Sequence, residues 1–153
     1  MSQIIGSGIL LLTKINSKIH IILYRGVYKK EYEDLGGSMD SGEDIFQTAA
    51  REVYEESATY IKFKPEDLYN SDKIILDKYI AFVKIIKNFN KEKGMNLLQK
   101  YKDKKHYNEM DDIKIIDLDQ LMISILNKNP ILPLRYRLIE ILYKLYQIPA
   151  KNI

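Results

Sequence analysis

The alternation of apolar and polar positions divides the chain into strand-like and helix-like stretches. Ile4 to Thr13 is an apolar run broken only by Gly6 and Gly8, which predicts a strand with a bend or close approach at the glycines. Asn16-Ser17 is a turn signal, and the β-branched run Ile19 to Tyr24 predicts the hairpin partner. His20 lies in that run with no second candidate ligand beside it, and it reads as a structural or edge residue. Asp77 to Ile86 and Ile113 to Leu118 read as two later strands. A helical period appears instead at Ile45, Phe46, Ala49 and Val53, and again at Leu134, Leu138, Ile141, Leu142 and Leu145. The second stripe predicts an amphipathic helix over Leu134 to Tyr146. Asp119 to Asn127 reads as a short helix, with Pro130 and Pro133 bracketing a loop after it.

Two stretches fit neither period well. Arg25 to Asp34 is polar and tyrosine-rich, with Gly26 as a breaker, and reads as a loop beside the functional site. Asn88 to Lys105 is lysine-rich and weakly helical, with Gly94 inside, and reads as an insertion or lid rather than core. Strands before and after a central helix, closed by a C-terminal helix, predict an α/β fold with a mixed sheet between helices. There is no internal repeat, and residues 1–153 read as one domain.

Composition narrows the chemistry. Apolar residues make up 46% of the chain, enough to bury a core at this length. The net charge of +3 is too small to imply a nucleic-acid surface by itself. The absence of cysteine excludes disulfides, thiolate metal sites and a cysteine nucleophile. With only His20 and His106, a histidine-rich metal site is excluded as well. No apolar run is long enough to span a bilayer, and Met1-Ser2-Gln3 lacks the basic start of a secretory signal, so a cytoplasmic protein is expected. Lys100, Lys102, Lys104 and Lys105 form a basic cluster. Lysine, isoleucine, asparagine and tyrosine are plentiful throughout, so the cluster reads first as solvated surface and second as a holder of RNA or polyphosphate.

The chemistry concentrates between Gly37 and Glu56, which reads Gly37-x5-Glu43-x7-Arg51-Glu52-Val53-x-Glu55-Glu56. On a helix, Glu52, Glu55 and Glu56 stand at i, i+3 and i+4 and share one face. Three anions stacked there repel each other, and helix stability offers no reason for them. A bound divalent cation does, because hard cations take oxygen ligands and offset the repulsion. At about 100° per residue the acids lie a quarter turn from the apolar stripe, so the helix can pack on a sheet and still present them to a cleft. Asp40 or Ser41 can cap this helix, and Asp40-x-x-Glu43 has capping-box spacing. Gly36-Gly37 allows close backbone approach by a phosphate or metal.

This segment resembles the Nudix box, Gly-x5-Glu-x7-Arg-Glu-U-x-Glu-Glu-x-Gly-U with U apolar. Gly37, Glu43, Arg51, Glu52, Val53, Glu55 and Glu56 match it. Ala58 replaces the closing glycine and Thr59 the last apolar residue. Either Ala58 adopts a left-handed conformation, at a cost on the order of 1 kcal/mol, or the helix runs on toward Tyr60.

The resemblance implies a Nudix-like α/β/α sandwich and a metal-dependent hydrolase that cleaves a diphosphate linkage in a nucleoside diphosphate derivative. It implies Mg2+, with Mn2+ as a substitute, held by Glu52, Glu55, Glu56 and a carbonyl of Gly36 or Gly37. Arg51 and Glu43 would hold those acids in place. Glu52, Glu55 or Glu109 would serve as base, with Asp111 and Asp112 as weaker candidates. Arg25 would clamp phosphate beside Gly36 and Gly37, and Tyr24, Tyr28 or Tyr32 would stack a base. No subgroup signature is present: the residue before Gly36 is Leu35, and residues 73–75 are Lys-Ile-Ile. Two other readings follow from the same family: an mRNA-decapping or RNA 5′-end hydrolase acting on capped RNA, motivated by the basic cluster, and a non-catalytic nucleotide-binding module.

Overall fold

The computed structural model describes residues 3–147. Strands β1 (Gly6–Ile15) and β2 (Lys18–Gly26) form an antiparallel hairpin that pairs Ile15 with Lys18. Its two connecting residues, Asn16 and Ser17, have φ of 52° and 69°, the left-handed conformations that suit a two-residue hairpin turn. The other strands are β3 (Tyr32–Glu33), β4 (Leu35–Ser38), β5 (Lys73–Ile75), β6 (Tyr79–Ile85) and β7 (Met110–Asp117). Their order is β3-β2-β1-β6-β5, with β4 added to β1 and β7 to β2. The β1–β6 pairing is parallel and the others are antiparallel, so the sheet is mixed, as the pattern predicted.

Helices α1 (Ile45–Glu56), α2 (Lys91–Lys100), α3 (Leu118–Leu126) and α4 (Tyr136–Leu145) cover both faces. The pleat of β1 and β2 sorts the core. Leu10, Leu12, Ile21 and Leu23 pack with Leu121, Leu138, Ile141 and Leu142 of α3 and α4. Ile9, Leu11, Ile22 and Tyr24 point the other way, against Ala49 and Val53 of α1 and Leu98 of α2. The result is the expected α/β/α sandwich. Among the described residues no helix is long and apolar enough to cross a membrane.

Three expectations change. The 88–105 stretch is not an insertion or lid: α2 lies on β7, burying Leu98 and Gly94, where a Cβ would come 2.7 Å from Ile113 Cδ1. Its lysines mask a one-sided apolar pattern. The 25–34 stretch is not all loop, because Arg25 and Gly26 are the last two residues of β2 and Tyr32–Glu33 form β3. Leu134 is buried as expected but precedes its helix, bridging to Tyr32 in the sheet.

Candidate active site

Helix α1 begins at Asp44, not at Asp40 or Ser41. Asp44 Oδ1 accepts from Gln47 N at 2.8 Å, and Gln47 Oε1 accepts from Asp44 N at 3.0 Å, a reciprocal capping box about one helical turn beyond the expected one. The Asp40–Glu43 spacing is used differently: Asp40 N donates to Glu43 Oε1 at 2.9 Å and so helps fix the Glu43 carboxylate. At the other end, Ala58 and Thr59 have φ of 52° and 74°. Ala58 N donates to Glu55 O at 3.0 Å and Thr59 N to Tyr54 O at 2.8 Å. This is the Schellman pairing that normally employs glycine, so Ala58 takes the left-handed shape and the helix stops.

Between those ends, Ala49 and Val53 bury against the sheet. That seating turns the acids toward β4. Arg51 organises them with every nitrogen of its fork. Nε donates to Glu43 Oε2 at 2.7 Å, and Nη2 donates to Glu43 Oε1 and Ser38 O, both at 3.0 Å. Nη1 donates to Glu52 Oε1 and Glu55 Oε1, both at 3.1 Å. Glu43 also accepts from the Thr48 hydroxyl. The Arg51 hydrogen bonds, with those of Asp40 and Thr48, hold the Glu43 carboxyl down at about 2.

Glu52 and Glu56 are placed against the two glycines. The Glu52 carboxylate lies on Gly37, in the space a Cβ would fill. Glu56 is buried, and its Oε1 accepts from Gly36 N at 2.7 Å. Burial pushes Glu52 up to about 7, aided by Glu55 and Glu109 and opposed by Arg51. Glu56 is pushed well above the usual carboxylate range by burial, then by the charges of Glu52, Glu33 and Glu109.

These groups line one cavity of about 760 Å³. It brings together Gly36, Gly37, Arg51, Glu52, Glu55, Glu56 and Glu109, drawn from β4, α1 and the loop before β7. Glu43 stands behind Arg51. Arg25 is not part of the lining: its Nε donates to Asp111 Oδ1 at 2.8 Å, and Lys30 pairs with the same carboxylate. Tyr32 is buried with its hydroxyl on Asp112, Tyr24 is fully buried, and Tyr28 is exposed outside the cavity. The lysines at 100, 102, 104 and 105 do not line it either, and Lys100 and Lys104 lie over the Tyr101 ring.

The cavity adds five residues that sequence reasoning missed: Lys78, Tyr79, His106, Arg135 and Arg137. Arg135 and Arg137 did carry a signal. They open α4, where a cation opposes the helix dipole and an acid would be ordinary.

Among the described residues no three His, Asp or Glu side chains converge as a ready-made metal cage. The donor set nonetheless fits a hard divalent cation. Carboxylate oxygens of Glu52 and Glu56 stand against the Gly37 and Gly36 backbone, and Glu55 lines the same cavity. Glu56 is buried with the like charges of Glu52, Glu33 and Glu109 acting on it ahead of the opposite charge of Arg137, an excess that a bound cation would offset. Mg2+ keeps several waters, so an open arrangement of a few carboxylates suffices.

No family model matches the chain, and no curated protein sequence matches it significantly. Solved structures do match. An Ap4A hydrolase of C. elegans in a binary complex is 18% identical, with a TM-score of 0.57 over 96% of both chains. The NUDIX domain of Shewanella oneidensis NrtR, complexed with ADP ribose, is 11% identical with a TM-score of 0.59, covering 96% of this chain and 88% of that one. A mutT/nudix family protein from Listeria innocua is 20% identical with a TM-score of 0.52, covering 95% and 92%. The chain has the Nudix fold.

Proposed function

We propose that the protein is a divalent-metal-dependent hydrolase that cleaves a diphosphate linkage in a nucleoside diphosphate derivative. The observation that carries this reading is the cavity in which Glu52, Glu55, Glu56 and Glu109 stand beside Gly36-Gly37, with Lys78, Arg135 and Arg137 in the same lining. Carboxylates alone would repel a diphosphate, and cations alone would bind it without activating water. Both in one cavity suit its hydrolysis. The fold likeness supports the substrate class, since the matched structures include an Ap4A hydrolase and a domain complexed with ADP ribose.

Glu52, Glu55 and Glu56 would hold Mg2+ or Mn2+, with a carbonyl of Gly36 or Gly37. When bound, the cation supplies neutralisation of the diphosphate and polarisation of the P–O bond. Arg51, locked to Glu43, keeps Glu52 and Glu55 aimed at that place. Glu109 lines the cavity from a different element and would take the proton of the attacking water, with Glu52 or Glu55 as the other candidates. The water oxygen then bonds to one phosphorus, the bridging P–O bond breaks, and the bridging oxygen leaves with its electron pair on the departing phosphate.

The test is product release from nucleoside triphosphates, ADP-ribose, dinucleoside polyphosphates, diphosphoinositol phosphates and capped RNA, each with Mg2+, Mn2+ or EDTA. Turnover of at least one substrate, abolished by EDTA, is expected. Silence across the panel from folded protein with metal present would overturn the hydrolase in favour of a nucleotide-binding module. The retention of all four box acids, Glu43, Glu52, Glu55 and Glu56, argues against that alternative. The RNA reading requires the 100–105 lysines to engage substrate, although none lines the cavity. A preference for capped RNA that survives alanine at Lys102, Lys104 and Lys105 would remove their part in it.

A further inference from the structure

Arg135 and Arg137 are held by backbone structure, not left to wander. The segment leading into α4 doubles back along β3: Tyr32 N donates to Pro133 O at 2.8 Å, and Arg135 N donates to Tyr32 O at 3.0 Å. This sets the two arginines over Glu33 and Asp34, which immediately precede Leu35-Gly36-Gly37. Arg137 Nε donates to Asp34 Oδ1 at 3.1 Å, and its guanidinium lies 4.2 Å from the centre of the Tyr79 ring. Tyr79 in turn donates its hydroxyl to Asp34 Oδ2 at 2.5 Å. Arg135 Nη1 donates to Glu33 Oε1 at 2.7 Å.

These bonds use only part of what the arginines offer. Arg137 Nη1 and Arg135 Nε and Nη2 donate to nothing among the described residues, and both side chains line the cavity. Two guanidinium groups at the start of α4 are unfavourable for the helix itself. Their pairing with Glu33 and Asp34 fixes their position without exhausting their donors. Planar forks with free N–H groups, held rigid at a cavity wall, match phosphoryl oxygens. Lys78 adds a further cation to the same lining.

We infer that Arg135, backed by Arg137, recognises a phosphoryl group of the substrate beyond the linkage that is cleaved. This rests on the hydrolase reading for the word substrate, but the recognition itself is separable from turnover. It makes the favoured ligand one with a further phosphate, as in a polyphosphate chain, over one that presents a neutral sugar or base to this wall. Arg135 is the residue to alter, because its side chain is 43% exposed and holds one ion pair, whereas Arg137 is built into a buried network.

The experiment is calorimetric titration of inorganic tripolyphosphate and of pyrophosphate into the parent protein, Arg135→Ala, Arg135→Lys and the surface control Lys91→Ala, in EDTA at low salt. The parent and the control should bind tripolyphosphate at least about 10-fold tighter than pyrophosphate. Arg135→Ala should abolish that ratio, and Arg135→Lys should retain part of it, keeping the charge and losing the fork. Equal affinity of the parent for both anions, no binding by the parent, or an unchanged ratio in Arg135→Ala would overturn the inference. Arg135-dependent binding without turnover of any panel substrate would defeat the hydrolase reading alone. Turnover with Arg135-independent binding would defeat the inference alone.

Discussion

The Glu52 carboxylate rests on Gly37 so closely that a Cβ on that glycine would come 2.6 Å from Glu52 Oε1. The obstructing group is the far end of a flexible side chain. Gly37→Ala should therefore leave the fold intact and swing the carboxylate away from the cavity. Misplacing a reacting or ligating group by about 1 Å costs on the order of 100-fold in rate. The expected result is a melting temperature near that of the parent with kcat reduced by about that factor. Parental kcat in a folded Gly37→Ala protein would show that Glu52 need not sit on Gly37.

Glu56 supports a paired prediction of activity and stability. Its carboxylate is buried and pushed up by desolvation and neighbouring acids. Glu56→Gln keeps an oxygen that can accept from Gly36 N and removes a poorly compensated charge, so stability without metal should hold or rise. Activity should fall at least about 100-fold in both Glu56→Gln and Glu55→Gln as a cation ligand is lost. The parent should melt later as Mg2+ is added, gaining about 2.7 kcal/mol at a concentration about 100 times Kd, and Glu56→Gln should gain less. An equal Mg2+ shift in parent and variant would remove Glu56 from the ligand set.

The legibility of this site in the sequence follows the range of the interactions. Glu52, Glu55 and Glu56 share a face because of helical period alone, and the apolar stripe through Ala49 and Val53 fixes which way that face turns, so both were readable. Arg135 and Arg137 enter the cavity through a tertiary bridge between Tyr32 and Leu134, about a hundred residues apart, which no local pattern encodes. Arg25 illustrates the converse: its place at the end of β2 was close to the expectation, but β7 lies alongside and offers Asp111 first. The mixed sheet was legible from strand and helix order. Strand β5 was not, because Lys73–Ile75 is three residues long and alternates exposed with buried positions. Helix α2 was legible as a weak helical signal, but its packing against β7 through Leu98 was masked by its lysines.

Acid should weaken the Arg51–Glu43 tie in a defined window. Arg51, with Asp40 N and Thr48, holds Glu43 at about 2, below the unfolded value near 4.5. A depressed folded pKa contributes stability that is complete above the unfolded value and fades as pH falls through the folded one. Glu43→Gln should therefore cost stability at pH 7, and the difference from the parent should shrink between about pH 5 and pH 2. Denaturant midpoints for the two proteins across that range measure it. A gap that stays constant down to pH 2 would mean that the charge on Glu43 is not what the pair contributes.

Ala58 tests how a left-handed position can be held without glycine. Its φ of 52° costs on the order of 1 kcal/mol relative to glycine. Its methyl group is fully buried with Ala49, Val53 and Ile61 in the cluster between α1 and the sheet, and burying one such carbon returns about 0.8 kcal/mol. Glycine would also lose more backbone freedom on folding, by about 0.5–1 kcal/mol relative to alanine. The strain relieved and the contacts and entropy forfeited nearly cancel. Ala58→Gly should thus change stability by less than about 1 kcal/mol in urea unfolding and leave activity unaltered, since Glu52, Glu55 and Glu56 precede the cap. A clear gain in stability would show that the buried methyl contributes little, and a loss above about 2 kcal/mol would show that the packing beneath the cap outweighs the strain.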